Sequence, residues 1–232
     1  MTDVDDTLLG DDPALEELVA AADAHRLLIV LNSSRPIASV QRSLAQLPVS
    51  WRPHGIIGAL GTQIELDERR LLAWERRFTA WERRPIDAAM QRAGFLPHPA
   101  EYQARHKASY TVPAHRVEDA RHAVSGSGVV SKVIMSGESS FDVIPPNAGK
   151  SEATRYVAAQ LRVPLERTAT AGDSANDADL VRTGRGIVVG NGSERLRRAV
   201  HGCEVYLATR AHAGGILEGL DRLGAIGARE GS

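Results

Sequence analysis

The chain has 232 residues, of which 43% are hydrophobic and 25% charged, and its formal net charge is −1. This composition is typical of a globular protein with a sizeable core, and the near-neutral charge gives no indication of a nucleic-acid partner. The lone Cys203 excludes an internal disulfide, and no stretch of about 18 apolar residues indicates a membrane partner, so we expect a cytoplasmic protein.

The amino terminus is too short to form a complete strand before Asp3. Only Met1 and Thr2 precede Asp3, whereas a strand that ends at Asp3 would need about five residues. We therefore expect that the true start codon lies upstream and that the missing codons supply the rest of the first strand.

Helices and strands alternate through the first 74 residues. Pro13–His25 has the apolar period of a helix and follows two capping aspartates, and the apolar run Leu27–Leu31 suits a strand buried on both faces. This alternation predicts an α/β fold with a Rossmann-like parallel sheet. The other elements expected here are a helix after Pro36, a strand at Ile56-Ile57, and a hairpin of residues 61–66 and 71–74.

The pattern changes at about residue 75. Lys107–Val112 alternates polar and apolar side chains, as a half-exposed antiparallel strand does. The other elements expected in this segment are helices at Trp81–Gly94 and Arg116–Val124 and strands at Val129–Met135 and Ser140–Ile144. We therefore predict that residues 75–142 form an inserted α+β cap domain.

Alternation of helix and strand returns after Lys150. The elements expected there are helices at 151–161, at 175–182, from Ser193 and from Gly214, and strands at 167–171, 186–189 and 205–207. The catalytic core is therefore predicted to be discontinuous, with residues 1–74 and 143–232 forming one domain.

Two acidic pairs follow predicted strands at opposite ends of this core. Asp3 and Asp5 follow the first strand, and Asp173 and Asp177 lie in the segment Gly172–Asp177. Carboxylates gathered at strand ends repel one another unless a cation lies among them, and oxygen ligands without His or Cys favour Mg²⁺. Either pair alone would also fit a helix cap, a calcium loop, a glycosyltransferase motif or an Asx-rich turn. Together they predict a phosphoryl-transfer site.

Other polar residues are expected at the same edge of the sheet, because ligands of open α/β sheets bind outside the carboxyl ends of the strands. Ser33 and Ser34 follow the second strand, and Lys150 begins a helix. A simple helix cap and a surface lysine are the alternative interpretations. Gly190-Asn191-Gly192 also follows a strand, but for this segment a simple turn is the favoured interpretation.

The ordered motifs resemble the haloacid dehalogenase superfamily of phosphohydrolases, and within it the sucrose-phosphate phosphatases and related sugar-phosphate phosphatases. The resemblance extends over nearly the whole chain. The segments that carry it are Asp3–Asp11, Gly61–Ile64, Lys107–Tyr110, Gly172–Asp177 and Ala213–Ile216.

The resemblance implies a role for each matching residue. Asp3 would attack phosphorus and form an aspartyl phosphate, while Asp5 would protonate the leaving group and then deprotonate water. Ser33, Ser34 and Lys150 would bind the phosphate, and Lys150 would also have a catalytic role by neutralising the charges of Asp3 and the phosphoryl group. The implied Mg²⁺ ligands are Asp3, Asp5, Asp173 and Asp177. Asp6 stands where many relatives have Gly or Asn, and it receives no catalytic role.

The substrate implied by the resemblance is a phosphorylated disaccharide, sucrose 6-phosphate first. Mannosylfructose phosphate and mannosyl-3-phosphoglycerate are close alternatives, and the pairing of Ser34 with Ser33 points towards the latter. Gln103, Arg105 and Lys107 of the cap are candidate sugar contacts, although an exposed polar loop is an equally good interpretation. A phosphomutase, or a catalytically silent binding domain associated with a sugar-phosphate synthase, would be different functions of such a chain.

Overall fold

The computed structural model describes residues 1–47, 51–137 and 139–227. The chain divides into two compact units. The first contains residues 1–31, 46–54 and 154–232, and the second contains residues 32–45 and 55–153. The whole of the segment 75–142 lies in the second unit, and its boundaries as a separate cap domain remain a prediction.

Helices and strands follow one another in an order close to the predicted one. In chain order they are α1 (Asp12–His25), β1 (Val30–Asn32), α2 (Ile37–Leu44), β2 (Gly55–Gly58), β3 (Gln63–Leu66), β4 (Arg69–Arg70), α3 (Leu72–Glu75), α4 (Arg83–Arg92), β5 (Leu96–Pro97), β6 (Ala108–Thr111), α5 (Val117–Gly126), β7 (Lys132–Ser136), β8 (Ser140–Ile144), α6 (Lys150–Gln160), β9 (Ala169–Gly172), α7 (Ala178–Val181), β10 (Arg185–Val188), α8 (Glu194–Ala199), β11 (Val205–Leu207) and α9 (His212–Arg222).

The first unit contains a parallel sheet with the order β11-β10-β9. Thr2 extends the pairing, because it forms parallel bridges with both Leu31 and Ala171. α1 and α9 contact each other beside this sheet. Parallel strands connected by helices confirm the predicted α/β architecture.

The ends of α1 show why the strand that follows is shorter than predicted. Asp11 caps the helix by accepting a hydrogen bond from Ala14 N at 3.0 Å. At the other end Arg26 adopts the left-handed conformation, and Leu27 N donates to Ala22 O at 2.8 Å. Because Leu27 still belongs to the helix cap, β1 begins only at Val30.

The second unit contains two sheets. The first has the strand order β1-β2-β3-β4, and Asn32 is the residue of β1 that belongs to this unit. The second has the strand order β5-β6-β8-β7. The second of these sheets is antiparallel throughout, and its strands lie wholly within the segment 75–142 apart from the last two residues of β8. One core cluster joins α4 and α5 to this sheet, with Tyr110 and Phe141 among its largest buried side chains. This segment therefore has the predicted α+β organisation.

The predicted return strand at 71–74 is wrong. Asp67 and Glu68 both have positive φ angles, 46° and 61°, and make a tight turn, after which β4 covers only two residues. The chain then forms α3, which buries Trp74, and the indole Nε1 donates to Gly61 O at 2.8 Å. A four-residue apolar run does not distinguish strand from helix, so the sequence pattern was ambiguous here.

In the described ranges 1–47, 51–137 and 139–227, the structure has no helix that is both long enough and apolar enough to cross a membrane.

Candidate active site

Asp3 is fixed at the carboxyl end of β9 by main-chain hydrogen bonds. Thr2 N donates to Val30 O at 3.0 Å, and Asp3 N donates to Ala171 O at 2.9 Å. The side chain of Asp3 is buried, with 6% of its residue surface exposed. The first predicted carboxylate therefore lies where ligands of open α/β sheets bind.

The chain turns sharply after Asp3. Leu8 N and Leu9 N both donate to Val4 O, at 3.1 and 3.0 Å, and Asp6 has a φ of 57°. Val4 and Leu8 are completely buried and anchor the loop, whereas Asp5 is exposed. A buried and an exposed carboxylate, two residues apart, can serve different chemical roles.

The second acidic pair lies in the loop after β9. Asp177 is completely buried, and its Oδ2 accepts hydrogen bonds from Ser174 N at 3.2 Å and Asp173 N at 3.3 Å. Gly172 permits this approach, because a Cβ at that position would lie 2.4 Å from Asp177 Cβ. Asp177 thus shapes the loop that presents Asp173.

Three of the four predicted metal ligands come together. Carboxylate oxygens of Asp3, Asp173 and Asp177 all lie within 4.8 Å of one another. Asp5 does not belong to this group, and its inclusion among the ligands remains a prediction. Three carboxylates at this spacing repel one another, and an oxygen-only set fits a hard divalent cation such as Mg²⁺.

Thr7 belongs to the first motif but received no role from the sequence. Its hydroxyl donates to Asp173 Oδ1 at 2.7 Å and lies 3.5 Å from Asp3 Oδ2. It is completely buried, and its hydrogen bond to Asp173 joins the two acidic loops. The sequence feature that could have identified Thr7 is a small polar residue four positions after Asp3.

The predicted phosphate-binding residues lie in the second unit. Ser33 is buried, and its hydroxyl accepts a hydrogen bond from Arg35 N at 3.0 Å in the turn that also contains Ser34. Lys150 is the first residue of α6 and is 3% exposed, and its carbonyl accepts from Asn32 Nδ2 at 3.0 Å. The Ser33 side chain is therefore held by a nearby main-chain N–H, and the Lys150 carbonyl is held by a side chain 118 residues earlier in the sequence.

The three predicted sugar contacts differ in their surroundings. Arg105 is exposed. Gln103 is bound to the chain on both sides of it, because its Nε2 donates to His98 O at 2.9 Å and Ser109 O at 2.8 Å. Lys107 is buried, and its ammonium contacts Asp142 Oδ1 at 2.9 Å, Ser109 Oγ at 2.5 Å and Tyr102 O at 3.1 Å.

Asp142 was not identified from the sequence, because the alternation of polar and apolar residues in its strand gives no indication of a partner 35 residues earlier.

His106 lies between Arg105 and Lys107 and is buried. Burial, reinforced by the positive charge of Arg105, lowers the pKa of its imidazole.

The sequence profile of one family, described as sucrose-6F-phosphate phosphohydrolase, matches residues 1–224. The chain is 29% identical to a mannosylfructose-phosphate phosphatase of Agrobacterium fabrum, over 96% of this chain and 95% of that protein. It is also 25% identical to a probable sucrose-phosphatase of Arabidopsis thaliana, over 96% of this chain but only 58% of that longer protein.

The fold is similar to that of a solved sucrose-phosphatase from Synechocystis sp., determined in complex with sucrose and phosphate. The TM-score is 0.87 at 25% identity, covering 96% of each chain. A structure from Thermoplasma acidophilum has a TM-score of 0.75 at 15% identity, covering 97% of each chain, and shows likeness of fold alone.

Proposed function

The chain belongs to the sucrose-6F-phosphate phosphohydrolase family of haloacid dehalogenase phosphatases, and from this premise we propose that it is a Mg²⁺-dependent phosphatase that hydrolyses a sugar phosphate through an aspartyl-phosphate intermediate. The observation that carries the proposal is the cluster of Asp3, Asp173 and Asp177, with the exposed Asp5 two residues after the first of them.

Asp3, Asp173 and Asp177 would hold the metal ion, and when bound the cation supplies positive charge that offsets the negative charge of the phosphoryl group. Asp5 lies outside this cluster, and it stays both a proposed ligand and the residue that we assign to proton transfer. Thr7 fixes Asp173 beside Asp3 through its hydroxyl.

The reaction would proceed in two displacements. A carboxylate oxygen of Asp3 attacks phosphorus, the bond from phosphorus to the sugar oxygen breaks, and Asp5 donates a proton to that oxygen. A water molecule, deprotonated by Asp5, then attacks the aspartyl phosphate and releases inorganic phosphate with Asp3 restored. Ser33, Ser34 and Lys150 keep their predicted roles as phosphate-binding residues.

Two phosphorylated disaccharides are the favoured substrates. Sucrose 6-phosphate is favoured by the family match and by the sucrose bound in the Synechocystis enzyme. Mannosylfructose phosphate is favoured by the full-length similarity to the Agrobacterium enzyme. Gln103, Arg105 and Lys107 remain the proposed sugar-contacting residues, and a sugar-phosphate synthase remains a proposed partner.

Phosphate release tests this proposal directly. The purified chain is incubated with sucrose 6-phosphate, mannosylfructose phosphate and mannosyl-3-phosphoglycerate, with Mg²⁺ or with excess chelator. We expect one of these three substrates to be hydrolysed, and only when Mg²⁺ is present. D3N is expected to abolish turnover, whereas the matched control D23N, at an exposed aspartate of α1, should retain it.

A catalytically silent binding domain would release no phosphate from any of the substrates and would contradict the proposal. Full activity in chelator would contradict metal dependence, and full activity of D3N would contradict the intermediate. Beryllium fluoride, which mimics a phosphoryl group on a carboxylate, should inhibit the D23N control. A phosphomutase would instead require a sugar bisphosphate and release no net phosphate.

A further inference from the structure

We propose that Asn191 is a positioning residue for the acid–base carboxylate Asp5, acting through the main-chain carbonyl of Asp6. Asn191 lies in the segment Gly190-Asn191-Gly192, which the sequence presented only as a turn. The inference rests on the proposed function, because it concerns the proton transfer assigned to Asp5.

Both ends of the Asn191 carboxamide are engaged. Its Nδ2 donates to Asp6 O at 2.6 Å, and its Oδ1 accepts from His212 N at 3.0 Å. The Nδ1 atom of His212 lies 3.1 Å from the same Asp6 oxygen. A carboxamide supplies one donor and one acceptor in this geometry, and a carboxylate could replace only the acceptor.

The segment that carries Asn191 is itself held in place. The guanidinium of Arg197 donates to Gly190 O at 3.0 Å, Gly192 O at 3.2 Å and Val189 O at 3.3 Å. Ser193 N donates to Asp173 O at 2.6 Å, so the segment is also joined to the acidic cluster. Its backbone is therefore a fixed support from which Asn191 reaches Asp6.

Close packing adds to this support. A Cβ at Gly190 would lie 2.4 Å from Thr209 O, and Gly190 N donates to Arg210 O at 2.7 Å. Glu218 in turn accepts hydrogen bonds from Arg210 N at 2.8 Å and Thr209 N at 3.0 Å. These hydrogen bonds lower the pKa of Glu218 to about 2, and the bond from Arg210 has the largest effect. The acceptor therefore stays ionised at neutral pH.

Asp6 needs such support, because its φ of 57° places it in the left-handed region that a residue with a Cβ adopts reluctantly. A bond to its carbonyl fixes the orientation of the peptide that joins Asp6 to Thr7, in the turn that links the exposed Asp5 to the buried Thr7. Releasing that carbonyl would leave Thr7 anchored at Asp173 but would loosen the turn that carries Asp5. A misplacement of about 1 Å can cost around 100-fold in rate.

The test compares two leaving groups in single turnover, where release of the leaving group reports the first displacement alone. A sugar alkoxide must be protonated as it leaves, whereas p-nitrophenolate is stable without a proton, so loss of Asp5 positioning should slow only the release of the sugar strongly. For N191D and N191A we expect the single-turnover rate of sugar release to fall roughly 10- to 100-fold, with KM for the sugar phosphate within about twofold. The single-turnover rate of p-nitrophenolate release should fall less than about threefold on the same reasoning.

R198A, which removes an exposed arginine of the neighbouring helix α8, is the matched control and should behave as the unmodified chain. N191D keeps the acceptor for His212 N and the side-chain shape, so it is a second variant that tests the inference should N191A fail to fold, and circular dichroism checks the folding of both. Equal losses in the single-turnover rates on the two substrates, or an unchanged single-turnover rate of sugar release for N191D, would overturn the inference. Absence of activity in the unmodified chain would instead overturn the proposed function.

Discussion

Lys107 and Asp142 form an ion pair that water barely reaches, since their side chains are 4% and 2% exposed. Ser109 donates to Asp142 Oδ1 at 2.6 Å and accepts from Lys107, so three residues on β6, β8 and the segment before β6 share one network. A buried pair of this kind is costly to break, because the remaining charge is left uncompensated. Lys107, which was predicted to contact the sugar, therefore already forms an ion pair and a hydrogen bond within its own unit.

We expect K107M to lower the free energy of unfolding by about 3–5 kcal/mol, because Asp142 would remain charged and buried. The double variant K107M/D142N should lose clearly less, since the amide is neutral and can still accept from Ser109. Urea unfolding followed by circular dichroism measures both.

The exposed pair of Arg198 and Glu194 on α8 provides the control, because R198M should change the unfolding free energy by less than about 1 kcal/mol. If K107M were as stable as the unmodified chain, Asp142 would have found another compensating charge, and the assigned role of the pair would be wrong.

At the scale of elements, the segment between β5 and β6 contains two predicted sugar contacts that bond within the second unit, Gln103 and Lys107, and one that faces solvent. Gln103 is fixed by Ser109, whose N–H donates to Gln103 Oε1 at 3.0 Å and whose carbonyl accepts from its Nε2. Arg105 is exposed two residues later. Among the three predicted sugar contacts, Arg105 is thus the one whose replacement should disturb the second unit least.

R105A should lower kcat/KM for the sugar phosphate by roughly 5- to 150-fold, since loss of a partner for a substrate hydroxyl costs on the order of 1–3 kcal/mol. Hydrolysis of p-nitrophenyl phosphate, which has no sugar, should change little. Steady-state kinetics on both substrates measure the difference.

R84A, at an exposed arginine of α4, is the matched control for the loss of one positive charge from the second unit. Parallel losses on both substrates for R105A would mean that the arginine serves folding or phosphate binding, and its assignment to the sugar would have to be withdrawn.

Sequence patterns predicted helices and strands well where burial is periodic, and poorly where a turn determines how far a strand extends. The strand Ser140–Ile144 was predicted with its observed bounds, because alternation and flanking turns define it. The return strand at 71–74 failed because the left-handed turn at Asp67-Glu68 ends the hairpin early, and nothing in the apolar run itself encodes that turn.

At the scale of the whole molecule, the acidic motifs were visible in the sequence, but their supports were not. Asp3 and Asp173 could be paired because each follows a strand of a parallel sheet, whose carboxyl ends share one edge. Asn191 lies 185 residues from Asp6, so only the folded chain reveals its hydrogen bond. Chemistry that depends on residue type is therefore readable in the sequence, whereas positioning contacts depend on tertiary structure.

The acidic cluster should also link metal binding to the stability of the fold. Its three carboxylates come from positions 3, 173 and 177, and they approach within 4.8 Å only in the folded chain. A cation that binds them therefore stabilises the folded state, by about 2.7 kcal/mol at a concentration 100 times its Kd. For a chain of this size that corresponds to a rise in Tm of roughly 5–10 °C.

We expect Mg²⁺ to raise the Tm of the chelator-treated chain by this amount, measured by differential scanning calorimetry without any substrate. D173N should lose the rise, because one ligand is neutralised, and its Tm without Mg²⁺ should equal or exceed that of the unmodified chain, because the repulsion among the carboxylates is reduced. D179N, at the exposed aspartate of α7 that pairs with Arg182, should keep the full rise. A Tm independent of Mg²⁺, or a rise that persists in D173N, would show that the cation does not bind at this cluster.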